Sequence, residues 1–208
     1  MTRFREADLS RIREQAVGER HSKVRVEDFA APVTPDMAVI LDALPNILAG
    51  ATLRRAVSRT ADATRDGRTV LAMMGGHVIK TGCAPVLIQL LEEGVITAMA
   101  MNGAAAIHDF EIARFGRTSE DVEAALGAGE FGMAAETSRE MNAATQAGHR
   151  EGIGLGQALA RAAAAAPHAG RSLLATCHRL DRPLTVHVAL GTDILHQHAS
   201  ADGAAIGD

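Results

Sequence analysis

Thr69-Val70-Leu71-Ala72-Met73-Met74-Gly75-Gly76-His77-Val78-Ile79-Lys80-Thr81-Gly82 is the stretch that decides the fold class. Val70 to Met74 are all apolar, with Gly67 before them and Gly75-Gly76 after. A short apolar run closed by glycine at both ends predicts a strand over 69–74, buried on both faces as in a parallel sheet. A helix is predicted over 82–93, where Val86, Leu87, Leu90 and Leu91 recur at helical spacing and Gly94 stands at the C-cap position. The second buried strand covers 95–101 and ends at Asn102-Gly103, and residues 104–115 read as helix again. Strand, helix, strand, helix with short glycine-containing joints is the pattern of βαβ units.

Outward from this centre the chain is mostly helical. Residues 1–35 are polar and read as an extended lead-in with at most a short helix. Thr34 and Pro35 are placed to start a helix over 35–48 that Pro45 shortens or kinks, and residues 51–65 form an amphipathic helix. Downstream, a helical insertion is predicted over about 118–166, opened by a capping-box pattern at Thr118-Ser119-Glu120-Asp121. A helix over 171–179 and a third strand over 184–190 complete the reading. The expected fold is α/β, a doubly wound, mainly parallel sheet with helices on both faces. Three strands are few for such a sheet, so the chain is expected to be an incomplete domain.

Composition narrows the function. The 208 residues suit one domain and carry a net charge of −4, with Lys and Arg at 21 against 25 for Asp and Glu. The only lysines are Lys23 and Lys80, and the arginines are scattered, so no basic footprint for nucleic acid is visible. Five Phe with no Tyr or Trp give little for base stacking. Cys83 and Cys177 stand alone and match no zinc spacing. No secretory pattern opens the chain and no apolar run reaches membrane-spanning length, so no membrane role is expected and a cytoplasmic location is.

Ligands of an open parallel sheet bind beyond the carboxyl ends of its strands, and all three strands end there in polar or glycine clusters. At the first, Gly75, Gly76, His77, Thr81 and Gly82 suit a phosphate at a helix start, or simply a tight joint. At the second, Asn102 and Gly103 precede His108, Asp109 and Glu111, acids that can meet a ribose or compensate a helix dipole. At the third, Gly191 and Thr192 lead to Asp193 and His196. That pair recognises a cofactor or an amine, or joins His187 in a metal site for hydrolysis, or is structural. The run Gly152-Ile153-Gly154-Leu155-Gly156 follows no strand and reads as a helix-to-helix joint.

Taken in order, GGHVIKTG, MNGAAAIHDFE and GTDILHQH resemble the nucleotide-site segments of deoxyhypusine synthase-like proteins, particularly their bacterial branch, over about 70–198. The resemblance implies a Rossmann-like fold with NAD as cofactor, a homo-oligomer (dimer or tetramer) with shared sites, and NAD-dependent oxidation and transfer of a small amine of polyamine type. Arg114 and Arg117 near the second cluster keep NADP open. The family's reactive lysine has no counterpart here: Lys23 lies upstream and Lys80 in the first loop, and the family's tryptophan is missing too. The expected protein is therefore an NAD-binding relative with impaired transfer, truncated at its carboxyl end, with Asp193 and His196 as catalytic candidates. The alternatives are a non-catalytic dinucleotide-binding or assembly module and a metal-dependent hydrolase.

Overall fold

The computed structural model describes residues 12–29, 34–44, 46–127 and 129–207. The start of the predicted lead-in, its end at 30–33, and Pro45 lie outside these residues. The chain is a mixed α/β structure built on a three-stranded parallel sheet.

Strand β1, Ser22–Arg25, is followed by a 3-10 turn at Pro35–Met37 and two helices, α1 (Ala38–Ala43) and α2 (Leu48–Arg65). The sheet begins with β2, Leu71–Met74, and continues through α3 (His77–Lys80) and α4 (Ala84–Glu92) to β3, Ala98–Asn102. Helix α5, Gly103–Phe115, ends at Gly116, whose left-handed φ of 64° turns the chain directly into β4, Arg117–Glu120. Helices α6 (Val122–Leu126), α7 (Ala135–Glu151), α8 (Leu155–Ala164) and α9 (Leu173–Arg179) precede β5, Leu184–His187, and α10 (Gly203–Gly207) follows. The parallel sheet has the order β2-β3-β5, so β3 is central.

The helix predicted over 82–93 forms as α4, and Gly82 at φ 75° sets it off from the short α3 before it. Three other sequence expectations change. The segment opening at Thr118 is not helical: β4 pairs antiparallel with β1, Val24 opposite Thr118, and the helix cap is Asp121, which accepts from Ala124 N. Within the predicted lead-in lies that partner strand, β1. The third strand is also shorter than predicted, stopping at His187.

Pairing explains the core. Met74 stands opposite Met101 and Met101 opposite Val186, so Ala72, Met74, Met99, Met101, Leu184 and Val186 share one face. That face and helices α4, α5, α8 and α9 enclose one apolar cluster containing Leu91, Phe110, Leu159, Leu173 and Leu174. Among the described residues, the expected helices on both faces are not found at the edge strands. On the opposite face Leu71 and Met73 of β2 are exposed, Met73 by 77%, as are Thr185 and His187 of β5. Strands read as buried on both faces are so only at β3. No helix among the described residues is long and apolar enough to cross a membrane.

Candidate functional site

A cavity of about 200 Å³ opens beside the first two turns of α5. Its walls include Arg20 before β1, Lys80 at the end of α3, Ala104, Ile107, His108 and Glu111 of α5, and Thr192-Asp193-Ile194 after β5. Strand β4 supplies Ser119 and Glu120, and Val122 and Phe131 add apolar surface.

One wall is a buried polar network centred on Glu111, in which Arg20 Nε is left without a partner. Glu111 is buried and receives two hydrogen bonds from Arg20, Nη1 and Nη2 at 2.9 Å each. Thr137 Oγ1 donates to its Oε1 at 2.8 Å and Thr118 Oγ1 to its Oε2 at 2.6 Å. The bidentate guanidinium–carboxylate geometry is the strong form of this contact. Because the single hydroxyl proton of Thr118 goes to Glu111, its oxygen accepts from His108 Nδ1, 2.7 Å away. The proton of His108 is thereby fixed on Nδ1 and its Nε2 keeps the lone pair. Burial pushes the His108 pKa down to about 4, aided by Lys80 and opposed by Glu111, so the ring is neutral at ordinary pH.

The opposite wall is unpaired. Among the described residues, the Lys80 ammonium makes no hydrogen bond or ion pair, and neither does the carboxylate of Asp193. Both are half-buried. Asp193 lies flat on the first residue of α5: a Cβ added at Gly103 would stand 1.8 Å from its Oδ2. Only glycine admits this approach, and the carboxylate gains from the positive end of the helix dipole. Glu120 accepts from Gly132 N at 2.9 Å through Oε1, while its buried Oε2 has no partner, and burial raises its pKa.

The predicted residues are partly gathered and partly dispersed. Gly75 and Asn102 are neighbours at the carboxyl edge, a Cβ at Gly75 meeting Asn102 Nδ2 at ordinary contact, 3.5 Å. Gly76 abuts the ring of His108, and Thr192 borders the cavity. His77 is exposed at the start of α3 and Thr81 bonds back to its carbonyl. Gly82 is buried against the Asp28–Phe29 backbone, away from the edge. Asp109 does not face a ligand: fully buried, it accepts from Ser172 Oγ, Leu173 N and Leu174 N, and so caps α9. Glu111 is consumed by Arg20. His196 does not line the cavity beside α5; its Nδ1 accepts from Gly191 N, and it shares with Asp193 only a smaller cavity between α5 and α7.

For a dinucleotide the fit is divided. Gly75, Gly76 and exposed Asn102 leave backbone open at the edge, with His77 beside them. The two acids expected at ribose are both committed to the interior, and Asp193 already occupies the start of α5. The metal reading finds no support: His187 bonds Thr185 on the exposed sheet face, and among the described residues no three His, Cys, Asp or Glu side chains converge. Sequence reasoning missed Arg20 and Glu120, whose partners are distant in the chain, and set Lys80 aside.

No family model and no curated protein matches this chain. Among solved structures it is similar to ArgZ in its apo form, an arginine dihydrolase from the ornithine-ammonia cycle in cyanobacteria. That chain is 19% identical at a TM-score of 0.48, over 76% of this chain and 20% of its own length. The present chain thus spans about a fifth of that protein.

Proposed function

We propose that this chain is a Rossmann-like, NAD-binding domain of the deoxyhypusine synthase-like kind that receives a small amine-bearing molecule in the cavity beside α5. The observation that carries the reading is Asp193: an unpaired, half-buried carboxylate, held over Gly103 at the carboxyl edge of a parallel sheet. Ligand sites of such sheets lie at that edge, and a carboxylate there is the natural partner of an ammonium group. NAD, when bound, supplies a hydride acceptor. Gly75, Gly76, Asn102 and His77 are the residues left to hold it, across the edge and outside the cavity. At about 200 Å³ the cavity is smaller than the ~300–1,000 Å³ of drug-sized sites, so it suits the amine and not the dinucleotide. His108, neutral with Nε2 free, is the group that would take a proton in the cavity, oriented through Thr118 by Glu111.

Isothermal titration with NAD tests the cofactor half. Gly75→Val is the informative variant, since a Cβ at Gly75 fits without strain and the added branches cover the edge next to Asn102. NAD affinity is expected to fall at least ~10-fold with the circular-dichroism spectrum unchanged. Equal NAD affinity in variant and wild type removes Gly75 from the site, and no heat with either removes NAD.

A further inference from the structure

We infer that the cavity takes a zwitterionic α-amino acid, its carboxylate on Lys80 and its ammonium on Asp193, with a short aliphatic side chain against the apolar wall. The inference rests on the reading of the cavity as an amine site and narrows the substrate class from amines to amino acids. Two opposite charges line one cavity, and among the described residues neither has a hydrogen bond or an ion pair, with each other or with anything else. Opposite charges that line one cavity without pairing leave two half-buried ionic groups uncompensated, which is costly unless a ligand supplies both counter-charges. Of the other charges on the cavity wall, Arg20 pairs with Glu111 in bidentate fashion, and Glu120 is held by Gly132 N through Oε1 alone.

The neutral groups agree. Ile107, Val122, Phe131 and Ile194 give the cavity an apolar share that an aliphatic side chain would bury. Glu120 Oε2, lacking a donor, offers the ammonium a second acceptor after a small carboxyl rotation. A simple diamine would satisfy Asp193 and leave Lys80 facing a second cation, so the sign pattern discriminates against it.

Three matched probes test this by calorimetry: L-norvaline, n-butylamine, which lacks only its carboxylate, and pentanoate, which lacks only its amine. L-norvaline is expected to bind at least tenfold more tightly than either. Lys80→Met should reduce norvaline to the affinity of butylamine without weakening butylamine. Asp193→Asn should reduce it to that of pentanoate without weakening pentanoate, and the far-ultraviolet spectrum of each variant reports folding. Butylamine binding as tightly as norvaline overturns the inference and leaves the amine reading standing. Pentanoate binding as tightly, or no binding by any probe, overturns both, while the NAD titration reports separately on the cofactor.

Discussion

His108 and Asp109 are adjacent in sequence and are driven in opposite directions by the same cause. Burial pushes His108 down from 6.5 to about 4, and burial pushes Asp109 up from 3.8 to about 6, against the hydrogen bonds from Ser172, Leu174 and Leu173. The linkage signs follow. Between about pH 4 and 6.5 the unfolded chain holds a proton on His108 that the folded chain lacks, so this residue makes stability rise with pH. Between about pH 4 and 6 the folded chain holds a proton on Asp109 that the unfolded chain lacks, so this residue makes stability fall as pH rises. Each contribution is on the order of 3 kcal/mol, and in the wild type they largely cancel. Asp109→Asn should therefore give a stability that climbs more steeply than wild type from about pH 4 to 6.5, and His108→Gln one that climbs less or falls. Denaturant titrations across that range measure both, and three parallel curves would contradict the assignment.

Among the elements, α8 packs tightly against the backbone of β5 at Gly156. A Cβ at Gly156 would stand 2.2 Å from Leu184 O, a rigid backbone atom, so Gly156→Ala must push the helix off the strand. The expected cost is ~1–3 kcal/mol, read as a lower denaturant midpoint at unchanged slope. Gly127→Ala is the control: its backbone is right-handed helical and nothing lies within 4 Å of the added Cβ, so stability should hold or rise slightly. This glycine pair also shows what the sequence discloses. The run from Gly152 to Gly156 was legible as a helix-to-helix joint because no strand precedes it, and α7 does end at Gly152. Its last glycine's packing role was not legible, since Leu184 is remote in sequence. Two of the parallel strands were legible from short apolar runs between glycines, and the third from the run that leads from the Asp181-Arg182-Pro183 turn to Gly191. Strand β4 was not, because Thr118-Ser119-Glu120-Asp121 satisfies a local helix-start pattern while its true partner, Ser22–Arg25, lies far upstream. The same distance hid the Arg20–Glu111 pair, and so half of the cavity wall.

At the scale of the whole molecule, the described residues leave part of one sheet face exposed. Parallel sheets occur almost only with both faces covered, because their strands lack a solvated side. Here Leu71 and Met73 stand exposed on β2 and Leu190 just beyond β5, at 51%, 77% and 70%. Helix α2, which leads into β2, has no buried residue, and Leu53 and Val57, one turn apart, face solvent. An uncovered apolar sheet face and an uncovered apolar helix face on one chain are two halves of a contact, and we propose that a second copy completes it, α2 of each chain lying on the sheet of the other. Reciprocal contacts of this kind close into a symmetric dimer. Light scattering at on the order of tens of micromolar should report a mass of two or more chains. Met73→Glu and Leu53→Glu should each lower it, because either charge would be buried unpaired at the same contact. The Gly127→Ala variant, outside that surface, should leave it unchanged. A monodisperse wild-type monomer that unfolds cooperatively would overturn the proposal, and so would a dimer that both charged variants leave intact, since its contact would then lie elsewhere on the chain.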